Sequence, residues 1–128
     1  MVKMENTRQQ QEEALKVMFD YNKKLIPALE EVVVELRGAQ KEDTKDYLNY
    51  ILKGVNWVIQ VVNGTKDLLN QQEEVINKEQ MNSIIINLND YIKEENNIKL
   101  AEVIESGVLP FMHTVTNSAR NIVEIEEN

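Results

Sequence analysis

The sequence predicts an all-α fold, an up-and-down antiparallel four-helix bundle, and three observations carry that expectation. Apolar residues recur in steps of three and four, the repeat that puts side chains on one face of an α-helix and that strand alternation cannot produce. They fall into four long runs joined by short polar connectors, so consecutive helices must run antiparallel. The chain has 128 residues, 42% of them apolar, enough for one continuous core and a single domain over residues 1–128.

The first helix, expected over about residues 8–37, carries the stripe Leu15, Met18, Asn22, Leu25, Leu29, Val32 and Leu36. Before it, Arg8 to Glu13 are good helix formers without an apolar face, so these turns are expected to project into solvent or fray. Pro27 removes a backbone donor and crowds the carbonyl of Lys23. Because the stripe keeps its phase on both sides, a kink near Pro27 is expected rather than a break. Gly38 is the expected C-terminal cap. Asp43 or Thr44 then caps a second helix, about 44–70, with the stripe Leu48, Ile51, Val55, Val58, Val62, Thr65 and Leu69. Tyr47, Leu52, Ile59, Val61 and Leu68 widen that stripe past half the circumference, which makes this the element expected to be most buried. The polar run Asn70 to Glu74 closes it.

Asn77 with Gln80 three residues later has the form of a capping box for a third helix, about 78–94, whose face is Met81, Ile84, Ile85, Leu88, Tyr91 and Ile92. Asn97 is the expected cap of the fourth, about 98–125. Its stripe reads Ala101, Ile104, Val108, Phe111, Val115, Ser118, Ile122 and Ile125, with Gly107 and Pro110 predicting a second kink near Pro110. The acids from Glu124 onward are expected to fray.

Tyr50 to Val55 align without gaps on Val103 to Val108, glycine on glycine, and Val62 then falls on Val115. The alternatives are a duplicated helical hairpin and a chance likeness of two amphipathic helices. A glycine inside a helix costs about 1 kcal/mol against alanine, so Gly54 and Gly107 imply a packing reason. The plainer reading is close approach of helices two and four across the core; the sharper one is a shallow groove that admits a partner's side chain.

A formal charge of −8 opposes binding to nucleic acid or anionic membrane. The lysines are interleaved with acids and make no basic stripe. With no cysteine there is no disulfide, thiolate nucleophile or cysteine-ligated zinc, which suits a reducing compartment, and the cytoplasm is the expected location. The polar N-terminus has no signal-peptide pattern, and no apolar run approaches the ~20 residues of a membrane span.

The single histidine, His113, excludes a histidine-pair metal site, and Pro110 stands where a carboxylate bundle metal centre needs glutamate. A phosphotransfer bundle also uses one exposed histidine, but Thr114 to Asn117 supply neither the basic nor the small residue that such a site places after it. The four glycines are scattered singly, so there is no phosphate loop, and the paired glutamates read as solvated charge. No cofactor, metal or catalytic residue is expected. Trp57 is placed at the margin of helix two, under helix one or in a dimer contact, because tryptophan is enriched at binding hot spots. Asn22, on a stripe position, needs a partner for a buried amide or else marks where a kinked helix leaves the core.

The pattern Leu48, Ile51, Gly54, Trp57, Thr65, Asp67-Leu68-Leu69, followed by Leu100 to Glu105 and Val108-Leu109-Pro110, resembles a family of small uncharacterised helical-bundle proteins of low-GC Gram-positive bacteria. The likeness covers about residues 21–115 and implies the fold and a bacterial cytoplasmic setting, with motility or surface-structure systems as a lead and no functional residues to carry over. The expected function is a non-enzymatic protein–protein interaction module, adaptor- or chaperone-like, whose partner contacts are Trp57, Gly54, Val61, Gly107 and Phe111. The alternatives are a self-associating homodimer and, third, phosphotransfer through His113.

Overall fold

The computed structural model describes the backbone of residues 2–38, 40–70 and 76–127, and the side chains of residues 8–38, 40–70 and 76–123. The polar connector Gln71 to Glu74 and the side chains of Glu124 to Glu127 therefore lie outside the described residues. Helices α1 (Val2–Arg37), α2 (Thr44–Leu69) and α3 (Lys78–Lys93) precede α4 (Asn97–Val103), a π-helical segment (Ile104–Val108) and α5 (Leu109–Glu127). The last three form one continuous rod, so the fold is the expected four-rod, all-helical bundle.

Hydrogen bonds far apart in sequence fix the antiparallel course. Gln11 Nε2 donates to the carbonyl of Gly64 at 2.9 Å, while Glu35, at the other end of α1, receives the Thr44 hydroxyl at 2.8 Å. Arg37 forks onto Glu105 at 2.7 and 3.2 Å, and Asn22 meets Thr116, so α1 also runs against the last rod. The hydrogen bonding of Arg37 to the Glu105 carboxylate is the main cause holding the guanidinium above its ordinary pKa. Every member of the α1 and α2 stripes is buried, and buried residues from all the helices join one hydrophobic cluster. Helix α1 runs through Pro27 without a break. It also starts at Val2, six residues before the expected position, and Glu12 on its first turns receives Arg8 Nε at 3.2 Å. Likewise α5 stays helical to Glu127.

The helix ends correct several expected caps. Asp43 occupies the N-cap of α2 without a side-chain bond; Thr44 instead accepts from the Lys41 N–H at 2.7 Å and donates to the buried Glu35. Asn77 accepts from the N–H groups of Glu79 and Gln80, as expected. In the fourth rod the cap is Asn96, one residue before the expected Asn97, accepting from the Lys99 N–H at 3.1 Å. Helix α3 closes with Glu95 at a φ of 54°, its N–H on the Ile92 carbonyl and the Asn96 N–H on the Tyr91 carbonyl. This is a Schellman closure with glutamate where glycine is usual.

After Val108 the expected stripe of the last rod holds at Val115 and fails at Phe111, Ser118 and Ile122, while the side chain of Ile125 lies outside the described residues. Ile104, Val108, Met112, Val115, Ala119 and Val123 are among the buried residues of this rod, whereas Phe111, Ser118 and Ile122 are only half-buried. Pro110 has no N–H to offer the carbonyl four residues back, and the π segment, with the Leu109 N–H on the Ile104 carbonyl, takes up one extra residue. That insertion advances the inward face by one position, from 111 to 112 and from 118 to 119. Before Pro110, the site of the expected kink, the rod changes helix register.

The new phase turns Thr116 inward, where its hydroxyl accepts from Asn22 Nδ2 at 3.1 Å and donates to the Met112 carbonyl at 2.7 Å. Asn22 Oδ1 is buried with no partner among the described residues. The Phe19 ring has two cations near it, Lys23 Nζ at 4.8 Å and the Arg120 guanidinium at 5.7 Å from the ring centre.

Two stability experiments follow. Replacing Asn22 by leucine, of similar branched shape, removes an unpaired buried oxygen while Thr116 keeps its carbonyl, and is expected to stabilise the fold by about 1 kcal/mol in urea denaturation; Asn22→Asp is expected to cost about 3 kcal/mol or more. Deleting Ser106 should return the π segment to α pitch and cost under about 1.5 kcal/mol, whereas deleting Asn117 turns the remaining helix by about 100° and should cost several times as much.

Candidate functional site

On the α1/α2 side the backbone comes close because residue 54 has no side chain. A Cβ there would fall on the Tyr21 hydroxyl and lie 3.2 Å from Leu25 Cδ1. Tyr21 therefore lies across α2 and meets Trp57 edge-on, ring centres 5.4 Å apart and planes at 90°. Val17, Tyr21, Tyr50, Lys53, Gly54 and Trp57 together line a groove of about 390 Å³. Val17 and Tyr50 are 57% and 70% exposed, so the surface is aromatic, apolar and open. Burial first, and the neighbouring Tyr50 second, push the Tyr21 phenol above its ordinary pKa. Val61, half-buried, continues the same side of α2 one turn beyond Trp57.

The other two candidate partner contacts lie elsewhere. Gly107 faces Ile84 of α3, where a Cβ would sit in ordinary contact at 3.4 Å from Cγ1. Phe111 shares a small hollow of about 60 Å³ with Ile76, Asn77, Gln80, Met81, Pro110 and Thr114. The reading of Gly54 and Gly107 as facing one another across the core is therefore corrected: each glycine faces the preceding helix of its own hairpin. Sequence reasoning found Trp57 and Gly54 but not Tyr21, Tyr50 or Val17, whose convergence depends on the register between two helices.

Helix α2 is not sealed all round. Close backbone approach joins α1 to α2, α1 to α4 and α5, α3 to α4, and, less extensively, α2 to α5 across the core, whereas α2 and α3 stay apart. Between them a groove of about 370 Å³ is lined by Leu52, Ile59, Ile85 and Ile92 over Val55 and Leu88, with Asn49, Asn56, Asn89 and Lys53 along it. Its Asn49 end joins a hollow of about 260 Å³ at the end of the bundle, lined among others by Lys45, Tyr91 and Glu95. Helix α2, expected to be the most buried element, thus leaves part of its apolar surplus on two half-open surfaces.

The sequence pattern of the family described as Domain of unknown function (DUF8042) matches residues 13–118. The chain belongs to that family. The match takes in both surfaces, since the DUF8042 segment runs from the first turns of the α1 stripe to Ser118 in α5. No curated protein and no solved structure matches the chain. Among the described residues no group of three or more His, Cys, Asp or Glu side chains could hold a metal ion, and no helix is long and apolar enough to cross a membrane. His113 is exposed on α5; Asn117, one turn on, accepts from Arg120 at 3.1 Å.

Glycine-to-alanine exchanges separate the two roles of glycine on α2. Gly64 has open space around it, so Gly64→Ala is expected to stabilise by roughly 0.5–1 kcal/mol through helix propensity alone. Gly54→Ala should forfeit that gain, because the methyl displaces Tyr21, and should shift Trp57 fluorescence; an unchanged emission spectrum together with a stability gain would show that the close approach is absent.

Proposed function

We propose that the protein is a non-enzymatic interaction module, an adaptor or chaperone-like bundle, that binds a partner protein segment. The observation that carries this reading is the Tyr21, Tyr50 and Trp57 cluster over Gly54. Large aromatic side chains with two rotatable bonds form a contact surface at low entropic cost, and here rigid helices hold them beside an exposed valine. Aromatic and apolar side chains supply affinity without a reaction centre, which supports the non-enzymatic reading. In this reading the module works in the bacterial cytoplasm, in keeping with a chain free of cysteine.

The test compares the wild type with Val17→Glu and Tyr50→Glu, both exposed positions where the fold has nothing to lose. A partner captured from native lysate by the wild type should be lost by both variants with unchanged thermal melts. Light scattering should report a monomer. A dimer broken by either substitution would replace the adaptor reading with the homodimer, and capture indifferent to both would remove this surface from the function.

A further inference from the structure

We propose that the groove over Gly54 takes a proline-rich segment of a partner protein in the polyproline II conformation. The proposal rests on the reading of the bundle as an interaction module and names the chemistry of its partner. Its first support is the spacing of the rings. Tyr50, Gly54 and Trp57 stand at i, i+4 and i+7 on one face of α2, so the glycine leaves a notch between two large aromatic side chains. Tyr21 of α1 reaches into that notch, its hydroxyl where a Cβ of residue 54 would fall. Seven residues of helix set Tyr50 and Trp57 about 10.5 Å apart along α2. A polyproline II helix repeats every three residues, about 9.3 Å, so pyrrolidine rings at i and i+3 of the ligand reach both aromatics from one flank. Proline-rich segments dock on aromatic-lined grooves, and their fixed φ leaves little entropy to lose on binding.

Hydrogen bonding separates this occupant from others. The polar side-chain groups of the lining are the phenols of Tyr21 and Tyr50, the Trp57 indole N–H and the Lys53 ammonium; no carboxylate or side-chain amide joins them. Among the described residues none of these four groups has a hydrogen-bond partner. All four can donate, and the indole and the ammonium can only donate. Proline answers such a lining, because its carbonyl accepts and it has no N–H to be left facing another donor. An α-helix matches the ring spacing too, at i and i+7, but its carbonyls are already bonded within it. An extended strand would bring its own N–H groups against the donors. The Lys53 charge opposes a quaternary ammonium, the other ligand that clustered aromatic rings attract. A second copy of this chain offers no proline-rich segment, since its two prolines, Pro27 and Pro110, both lie inside helices.

The probes are decaproline, blocked at both ends, and a leucine-faced designed helix of about four turns, each carrying a fluorophore. Fluorescence anisotropy against the full chain should show decaproline bound about tenfold or more tightly than the helix, with an affinity that added salt leaves unchanged. The single tryptophan gives one indole N–H signal in an NMR spectrum, and unlabelled decaproline should shift it. Tyr50→Ala, at an exposed position, should weaken binding about tenfold or more. Trp57→Phe keeps a ring and removes the N–H, and should weaken it about fivefold. Ile86→Glu, exposed on α3 and outside the groove, should bind as the wild type does. Equal or tighter binding of the helix, binding of neither probe, or a decaproline affinity indifferent to Tyr50→Ala overturns the proposal. The module reading survives those outcomes where the wild type still captures a lysate partner that Val17→Glu and Tyr50→Glu lose, and falls with the proposal where that capture fails too. A dimer in light scattering that Tyr50→Glu dissolves also overturns the proposal and gives the groove to a second copy.

Discussion

The arrangement depends on a single register change, the π turn that Pro110 imposes between Ile104 and Val108. A helix of uniform pitch would carry Phe111, Ser118 and Ile122 inward, since all three continue the phase of Ala101 and Ile104. One additional residue in the turn hands those places to Met112, Ala119 and Val123. Thr116 then faces α1 and can receive the Asn22 amide, a buried polar link across the α1/α5 seam. The same turn lies against α3 through Gly107 and Ile84. The π segment is thus where the last rod settles its fit to α1 on one side and to α3 on the other.

From that fit follows an uneven bundle. Helix α1 occupies the best-packed position, between α2 and the last rod, and its stripe is buried at every member. Helix α3 is held by α4 and the π turn and leaves α2 uncovered along Leu52 and Ile59. Its own outward apolar residue Ile86 is 58% exposed. Helix α2 accordingly presents two different surfaces. Toward α1 it is aromatic and closely fitted around Gly54; toward α3 it is aliphatic and amide-walled, and Lys53 lines both grooves. Binding modules commonly pair a rigid scaffold with surface that is apolar at its centre and polar at its rim, and both faces of α2 have that anatomy.

What was legible in the sequence was whatever one helix decides alone. The α1 and α2 stripes, Asn77 as a cap and the continuity of α1 past Pro27 all follow from spacing and local chemistry. The α5 face was misread because adjacent apolar pairs, Val108-Leu109 and Phe111-Met112, fit either phase, and only the missing donor of Pro110 hints at which wins. Trp57 and Gly54 could be singled out by type and place. Tyr21, Val17 and the open α2/α3 seam could not, because their meaning comes from which residues of two different helices stand side by side, and that is fixed by packing rather than by either helix's own repeat.

The most direct measurement of the register change uses the chain's lack of cysteine. Ser118→Cys and Ala119→Cys place a single thiol on neighbouring positions, one half-buried and one fully buried. Labelling of the native protein with a thiol reagent should proceed at Ser118→Cys and be blocked at Ala119→Cys until denaturant is added. Protection at Ser118→Cys with rapid labelling at Ala119→Cys is the pattern of an unshifted α-helix, and it would contradict the π turn and the α1/α5 contacts that depend on it.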